Sequence, residues 1–182
     1  MINSKKELKK YLETDYNYYR RTLKRTIIDN LTHEHLRLIW KYIKYLRYEE
    51  YYLNCNRKIM RIIYTRKKNI IGNKLGFYII PNTVEKGITI CHHGNIIING
   101  SSKIGENCTL HGDNCIGNNG ITKDSPIIGN NVNIGIGAKI IGKVFIANNV
   151  KIGANAVVIK SCYNEGATIV GVPAREVKNE GQ

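Results

Sequence analysis

No run of eighteen apolar residues occurs in the chain, which argues against a helix long enough to span a bilayer. The opening residues, MINSKKELKK, lack the apolar segment of a secretion signal, and the expected location is the cytoplasm. Cysteine is sparse and unpatterned. Cys55, Cys91, Cys108, Cys115 and Cys162 are odd in number and form no CxxC, so neither a disulfide framework nor a zinc site is expected. Negative charge is also short: 14 Asp and Glu face 28 Lys and Arg, a net charge of +14. The imbalance is concentrated in residues 1–70, where 18 basic residues meet 7 acidic ones. Such a surface attracts anions. No recognition-helix, base-stacking or zinc-finger pattern accompanies it, so nucleic acid is not expected. A membrane surface or an acidic glycan remains as a peripheral partner, and a solvated helical face accounts for the same charge.

What is present is a six-residue period. Ile98, Ile104, Leu110, Ile116, Thr122, Ile128, Ile134, Ile140, Ile146, Ile152, Val158, Asn164 and Val170 are evenly spaced, and all but two are aliphatic. Two residues earlier runs a second series of small or Val residues, among them Ser102, Cys108, Ala138, Val144, Val150 and Ala156. A period of six fits neither a helix nor a two-sided strand. It fits a three-sided coil in which each side is one short strand and one turn. Asn130, Asn131, Asn148 and Asn149 suit the left-handed turns such corners need. The register is expected to hold through the polar stretch 117–126. Counted backward, it places Ile80 and His92 at inward positions.

Ahead of the coil the sequence reads as helical. Ser4 and Glu7 form a start signal for a helix over residues 4–13, and Asp15 or Asn17 is expected to restart the chain. A second helix follows through TLKRTIIDN. A third opens at Thr32, with Leu36, Ile39, Trp40, Ile43 and Leu46 as its apolar stripe. Tyr45, Tyr48, Tyr51 and Tyr52 are expected to pack on the first coils or on a neighbouring subunit. A fourth helix covers Arg57 to Tyr64, and Asn69 to Gly76 reads as a linker. The domains expected are a basic helical segment, residues 1–73, a coil over 74–178 and a tail, 179–182. His33-Glu34-His35 invites a metal reading, but two residues' spacing puts the imidazoles on different helical faces, and a helix start is the plainer role.

His92 interrupts an otherwise aliphatic register. A histidine there is either a satisfied core residue or a working base. His93 and His111 lie one full coil apart and are expected to stack, giving three imidazoles near one place, a reasonable proton-transfer site because histidine as a residue type ordinarily changes charge near neutral pH.

The segment from Ile90-Cys91-His92 through Gly94 and Ile96-Ile97-Ile98, then Pro126-Ile127-Ile128-Gly129, Ile134-Gly135-Ile136-Gly137-Ala138-Lys139-Ile140, Lys151-Ile152-Gly153-Ala154 and Gly171-Val172-Pro173-Ala174-Arg175, resembles the hexapeptide-repeat acyltransferases. The branch it most resembles is the serine acetyltransferases. The helical stretch Tyr45–Tyr52 resembles members associated with O-acetylation of surface or capsular polysaccharide. The resemblance implies a mainly β fold, a left-handed parallel β-helix behind an α-helical N-terminal segment. It implies a homotrimer with sites between subunits, and acetyl-CoA as co-substrate without a metal. It assigns His92 as general base, with His93 or His111 assisting. Coenzyme A would be met by Ile136, Ala138 and Ala154, with Lys151 and Arg175 at its phosphates.

Three positions depart from the family's pattern. Tyr78 stands where a carboxylate orients the catalytic histidine, Cys91 replaces the Asp before it, and Ser125 replaces a second histidine. All three are on the acceptor side. The acceptor expected from them is a saccharide hydroxyl, with serine as the alternative. A non-catalytic basic solenoid that binds an acidic partner is the reading from another class. A γ-class carbonic anhydrase would need a three-histidine metal pattern that the sequence lacks.

Overall fold

The computed structural model describes residues 1–32 and 34–177, with four helices ahead of a stack of short strands. The expected tail, 179–182, and His33 lie outside the described residues. Helix α1 (Lys5–Tyr19) begins as read: the Ser4 hydroxyl accepts from the Glu7 amide, and the Glu7 carboxylate accepts from the Asn3 amide. The break expected at Asp15 or Asn17 does not occur. Asp15 is buried and spent on tertiary bonds, so its side chain does not compete for the local backbone. Helix α2 (Leu23–Leu31) is capped by Thr22. Thr32 closes α2 by donating its amide to the Ile28 carbonyl, and does not open the next helix; α3 (His35–Asn54) starts after Glu34.

Helix α4 (Lys58–Leu75) runs through the expected linker. Gly72 is not a loosening point but a packing one. A Cβ there would stand 2.7 Å from the Phe77 carbonyl oxygen and 2.9 Å from the Tyr42 ring. The helix ends at Gly76, whose φ of 78° is left-handed and favours glycine. Gly72→Ala is expected to lower stability by about 1–3 kcal/mol through this overpacking, despite the helix propensity of alanine. The measurement is the urea midpoint, which should fall with an unchanged slope.

The inner face of α3, with Ile39, Tyr42, Ile43 and Leu46, belongs to the same buried core as the coil. Tyr42 makes the join: its ring meets Phe77 edge-on at 5.2 Å, and its hydroxyl accepts from the Ile79 amide at 3.0 Å. The tyrosines expected on the coil make their ring contacts with one another and with α4 instead. Tyr45, Tyr48 and Tyr52 gather around Tyr64 of α4, with Tyr48 stacked on it at 4.7 Å.

Fourteen strands follow: β1 (Phe77–Ile79), β2 (Thr89–Ile90), β3 (Ile96–Ile98), β4 (Lys103–Ile104), β5 (Thr109–Leu110), β6 (Cys115–Gly117), β7 (Ile127–Ile128), β8 (Asn133–Ile134), β9 (Lys139–Ile141), β10 (Phe145–Ile146), β11 (Lys151–Ile152), β12 (Val157–Val158), β13 (Thr168–Gly171) and β14 (Ala174–Val177). The chain visits three sheets in rotation. Sheet A is β1-β3-β6-β9-β12, sheet B is β4-β7-β10, and sheet C is β2-β5-β8-β11-β13 with β14 at its edge. Every pairing is parallel except β13 with β14. This is the three-sided coil that the six-residue period predicts. Leu110, Ile116, Ile134, Ile140 and Ile146 are fully buried, as are Cys108, Val132, Ala138, Val150 and Ala156 of the small series.

The register departs from the reading in three places. At the start, Ile79 pairs with Ile98 and Ile90 with Leu110, so the inward residues are Ile79 and Ile90, not Ile80 and His92. In the middle, Ile104 pairs with Ile128, one six-residue unit beyond a coil's length. Residues 118–125 are therefore an excursion, and Thr122 is exposed; the count survives only because the insertion equals one repeat. At the end, Ile146 bridges Cys162 and Ile152 pairs with Ile169, both short of a full coil. Asn164 and Val170 consequently face outward, and Ile169 takes the inward place.

Candidate active site

Each coil turns from sheet C to sheet A through one corner. Four such corners stack: 91–95, 111–114, 135–138 and 153–156. The Gly137 amide donates to the Gly112 carbonyl at 2.9 Å, and the Asn155 amide to the Ile136 carbonyl at 2.8 Å, so the corners sit in line. The first is the widest. From Ile90 to Ile98 the chain takes eight steps where Leu110 to Ile116 takes six, and the surplus is a loop that carries His92 and His93, both exposed. A residue that leaves the register in this way is available to solvent and to a substrate.

The bulge is held from three sides by the rest of the chain. Above it, the Gly94 amide donates to the Leu75 carbonyl and the Ile96 amide to the Gly76 carbonyl, at the end of α4. Below it, the Asp113 carboxylate accepts from the Asn95 amide at 2.9 Å. Gly112, at φ 119°, lies so close beneath that a Cβ would meet the His93 carbonyl oxygen at 3.3 Å and the His92 Cβ at 3.6 Å. At its side, the Tyr19 hydroxyl accepts from the Ile90 amide at 2.8 Å and donates to the Ile90 carbonyl at 3.0 Å. Burial pushes the Tyr19 phenol far above its ordinary range, which keeps the hydroxyl a donor. Trp40 stacks on Tyr19 at 5.9 Å, so α1 and α3 together fix the strand that delivers His92.

The three histidines are not grouped as expected. Parallel register puts Cys91, not His93, over His111. His111 is half-buried and its Nε2 lies 2.9 Å from Asn133 Oδ1. The imidazole that joins His92 and His93 is His35, the first residue of α3. Its ring centroid is 6.1 Å from that of His92 in a stacked arrangement and 5.5 Å from that of His93, edge-on. His35 Nδ1 in turn lies 2.7 Å from Glu34 Oε1. Sequence reading missed this residue as a site member because 57 positions of chain separate it from His92, and the helix-start role explained it locally. Among the described residues no group of three His, Cys, Asp or Glu side chains is arranged to hold a metal ion.

Of the residues assigned to coenzyme A, Ile136 and Ala154 are exposed on the histidine corner, one coil apart. Ala138 is not on the surface: its methyl lies in the core, and its carbonyl accepts from the Cys115 amide. Lys151 and Arg175 are exposed on sheet C, on β11 and β14. Tyr78 projects outward from sheet A, 60% exposed, opposite Ile97. Ser125 belongs to a different corner, where its hydroxyl donates to Asn99 Oδ1 at 3.3 Å. Within one chain it does not stand beside His92.

No family model matches the chain. It is 33% identical over 131 residues to a serine acetyltransferase of Staphylococcus xylosus, covering 66% of this chain and 60% of the relative. It is 39% identical over 101 residues to one from Staphylococcus epidermidis, covering 54% of this chain and 47% of the relative. The chain thus spans about half to three-fifths of the length of these relatives. Among solved structures it is similar to the soybean serine acetyltransferase apoenzyme, with a TM-score of 0.75 and 25% identity over 93% of this chain and 69% of that one. Neisseria gonorrhoeae serine acetyltransferase in complex with serine gives a TM-score of 0.70 at 25% identity, over 96% and 71% of the two chains. A serine acetyltransferase in complex with CoA gives 0.63 at 30% identity, over 76% and 56%.

Proposed function

We propose that the chain is an acetyl-CoA-dependent O-acetyltransferase whose acceptor is the hydroxyl of serine. The observation that supports this most is the stacked corner: an exposed, firmly held histidine bulge in line with Ile136 and Ala154, in a chain similar to serine acetyltransferases along nearly its whole length. The expected saccharide acceptor finds no support in these relatives, and the alternative, serine, fits them better.

The residues present fit the co-substrate, which supplies the acetyl group as a thioester. Ile136 and Ala154 offer exposed apolar steps further along the same line of corners as the histidines, and Lys151 and Arg175 are exposed cations for phosphates. A hydroxyl is a weak nucleophile at neutral pH and needs a base held within reach. His92 fills that role: its imidazole takes the hydroxyl proton as the oxygen attacks the thioester carbonyl, then returns it to the departing sulfur. We further propose a left-handed winding and a homotrimer, in which the coil that begins at β1 meets its neighbours and the histidine corner faces another subunit's surface. A cytoplasmic location goes with this reading.

The test is thiol release from acetyl-CoA by the purified chain, with serine and a panel of sugars as acceptors. Release with serine, from a species of three chains by light scattering, is the expected result. Release with a sugar alone would restore the saccharide reading. The absence of both release and coenzyme binding would leave the basic, non-catalytic solenoid.

A further inference from the structure

His92 has a ring contact but no side-chain hydrogen bond to a carboxylate among the described residues, and the two positions where one is expected hold Tyr78 and Cys91. An exposed imidazole with no such partner turns freely about its side-chain bonds, and a base must be held in one rotamer to be effective. One carboxylate–imidazole pair does lie at the site, and it comes from the helical segment. Glu34 ends the α2–α3 connection with its amide donating to the Asp29 carbonyl at 2.9 Å, and its carboxylate turns onto the ring of the next residue. His35 is thereby committed: Nδ1 donates to Glu34, and Nε2 is left as the second ring nitrogen. The same ring lies against His92 and edge-on to His93.

We infer that Glu34 and His35 form the positioning pair of this site, holding the His92 ring and bringing a carboxylate charge one imidazole away from it. The inference rests on the assignment of His92 as base. In that reaction a positive charge forms on His92 when it takes the hydroxyl proton. A carboxylate nearby favours that charge, and its action through an intervening ring replaces the direct contact that Tyr78 cannot make. His35 acts through His92 and takes no proton from the acceptor, so the atoms of the reaction balance as before.

Two readouts separate this role from a packing role and from the function itself. In kinetics, His35→Ala is expected to lower kcat by about 10–100-fold while the KM for acetyl-CoA changes little, as for a base displaced from its working position. Glu34→Gln, a half-exposed change that keeps an oxygen acceptor and removes the charge, should lower kcat in the same direction. His35→Phe, which keeps a ring against His92 but breaks the link to Glu34, should lie between His35→Ala and the parent. Long-range proton–nitrogen NMR of the histidine rings needs no turnover. The His35 ring should read as the Nδ1–H tautomer in the parent and lose that signature in Glu34→Ala, and the His92 ring signals should move in His35→Ala. Circular dichroism of each variant shows whether the fold is kept. Unchanged His92 signals in His35→Ala would overturn the inference whether or not the parent is active, as would unchanged kcat in both variants of an active parent. A parent without thiol release but with the expected ring signals would instead count against the acetyltransferase reading alone.

Discussion

Thiol release by the His92→Ala chain will fall by about 10²–10⁴-fold, the usual contribution of a positioned general base. The fold will not change with it. The His92 side chain is exposed, and the bonds that shape its loop come from the backbone of Gly94, Asn95 and Ile96 and from the Tyr19 clamp on Ile90. None of them uses the imidazole. The check is a paired measurement: initial rates with acetyl-CoA and serine, and a urea midpoint matching that of the parent. Near-normal turnover at a matching midpoint would remove His92 as the base and direct attention to His93, whose ring also meets His35.

The largest expected loss of stability comes from Arg47→Ala, about 3–5 kcal/mol, the usual cost of breaking a buried ion pair from one side. Arg47 is wholly buried and serves four acceptors. Its Nε donates to Asp15 at 2.8 Å, Nη1 to Glu50 at 2.9 Å and to the Val84 carbonyl at 2.7 Å, and Nη2 to the Glu85 carbonyl at 2.8 Å. The two carboxylates then bind the first coil's backbone. Asp15 accepts from the Gly87 and Ile88 amides, and Glu50 from the Asn82 amide. One guanidinium therefore fastens α1 and α3 to residues 82–88. Burial already pushes the Glu50 carboxyl up, and Arg47 is the chief force holding it back. Removing Arg47 strands both acids and two carbonyls in the core. Lysine will not rescue the site, because a single ammonium cannot match a planar fork of donors. Equilibrium urea unfolding gives the loss directly, and a change within 1 kcal/mol would show that water fills the gap and satisfies the acids.

The coil could be read from sequence because its rule is local and repeats: an aliphatic residue inside each strand, and a small one beside each corner. What could not be read were the places where that rule is broken without a local mark. His92 looked inward because counting in sixes crossed the wide corner between Ile90 and Ile98, where the chain spends eight residues on one side. The structure corrects the placement: His92 lies outside the coil, exposed on the wide corner. Asp15 and Gly72 read as breaks because both residue types usually interrupt helices. Their actual partners, Arg47 and the Phe77–Tyr42 surface, lie far along the chain. His35 is the same case at the site itself. Its spacing to His33 was informative about helical faces, whereas its relation to His92 is made by the packing of α3 on the first coil.

Two sheet edges of the coil have a consequence beyond the single molecule. A stack of parallel strands that stops abruptly presents unpaired amides and carbonyls, to which another stack could add. Here α4 lies over β1, its last carbonyls taking the amides of Gly94 and Ile96. At the other end β14 folds back antiparallel on β13, a direction that no following parallel strand can copy with the same hydrogen-bond spacing. On sheet C, β14 thus disfavours addition of a further parallel strand, and its charged side chains Arg175 and Glu176 add a barrier of their own.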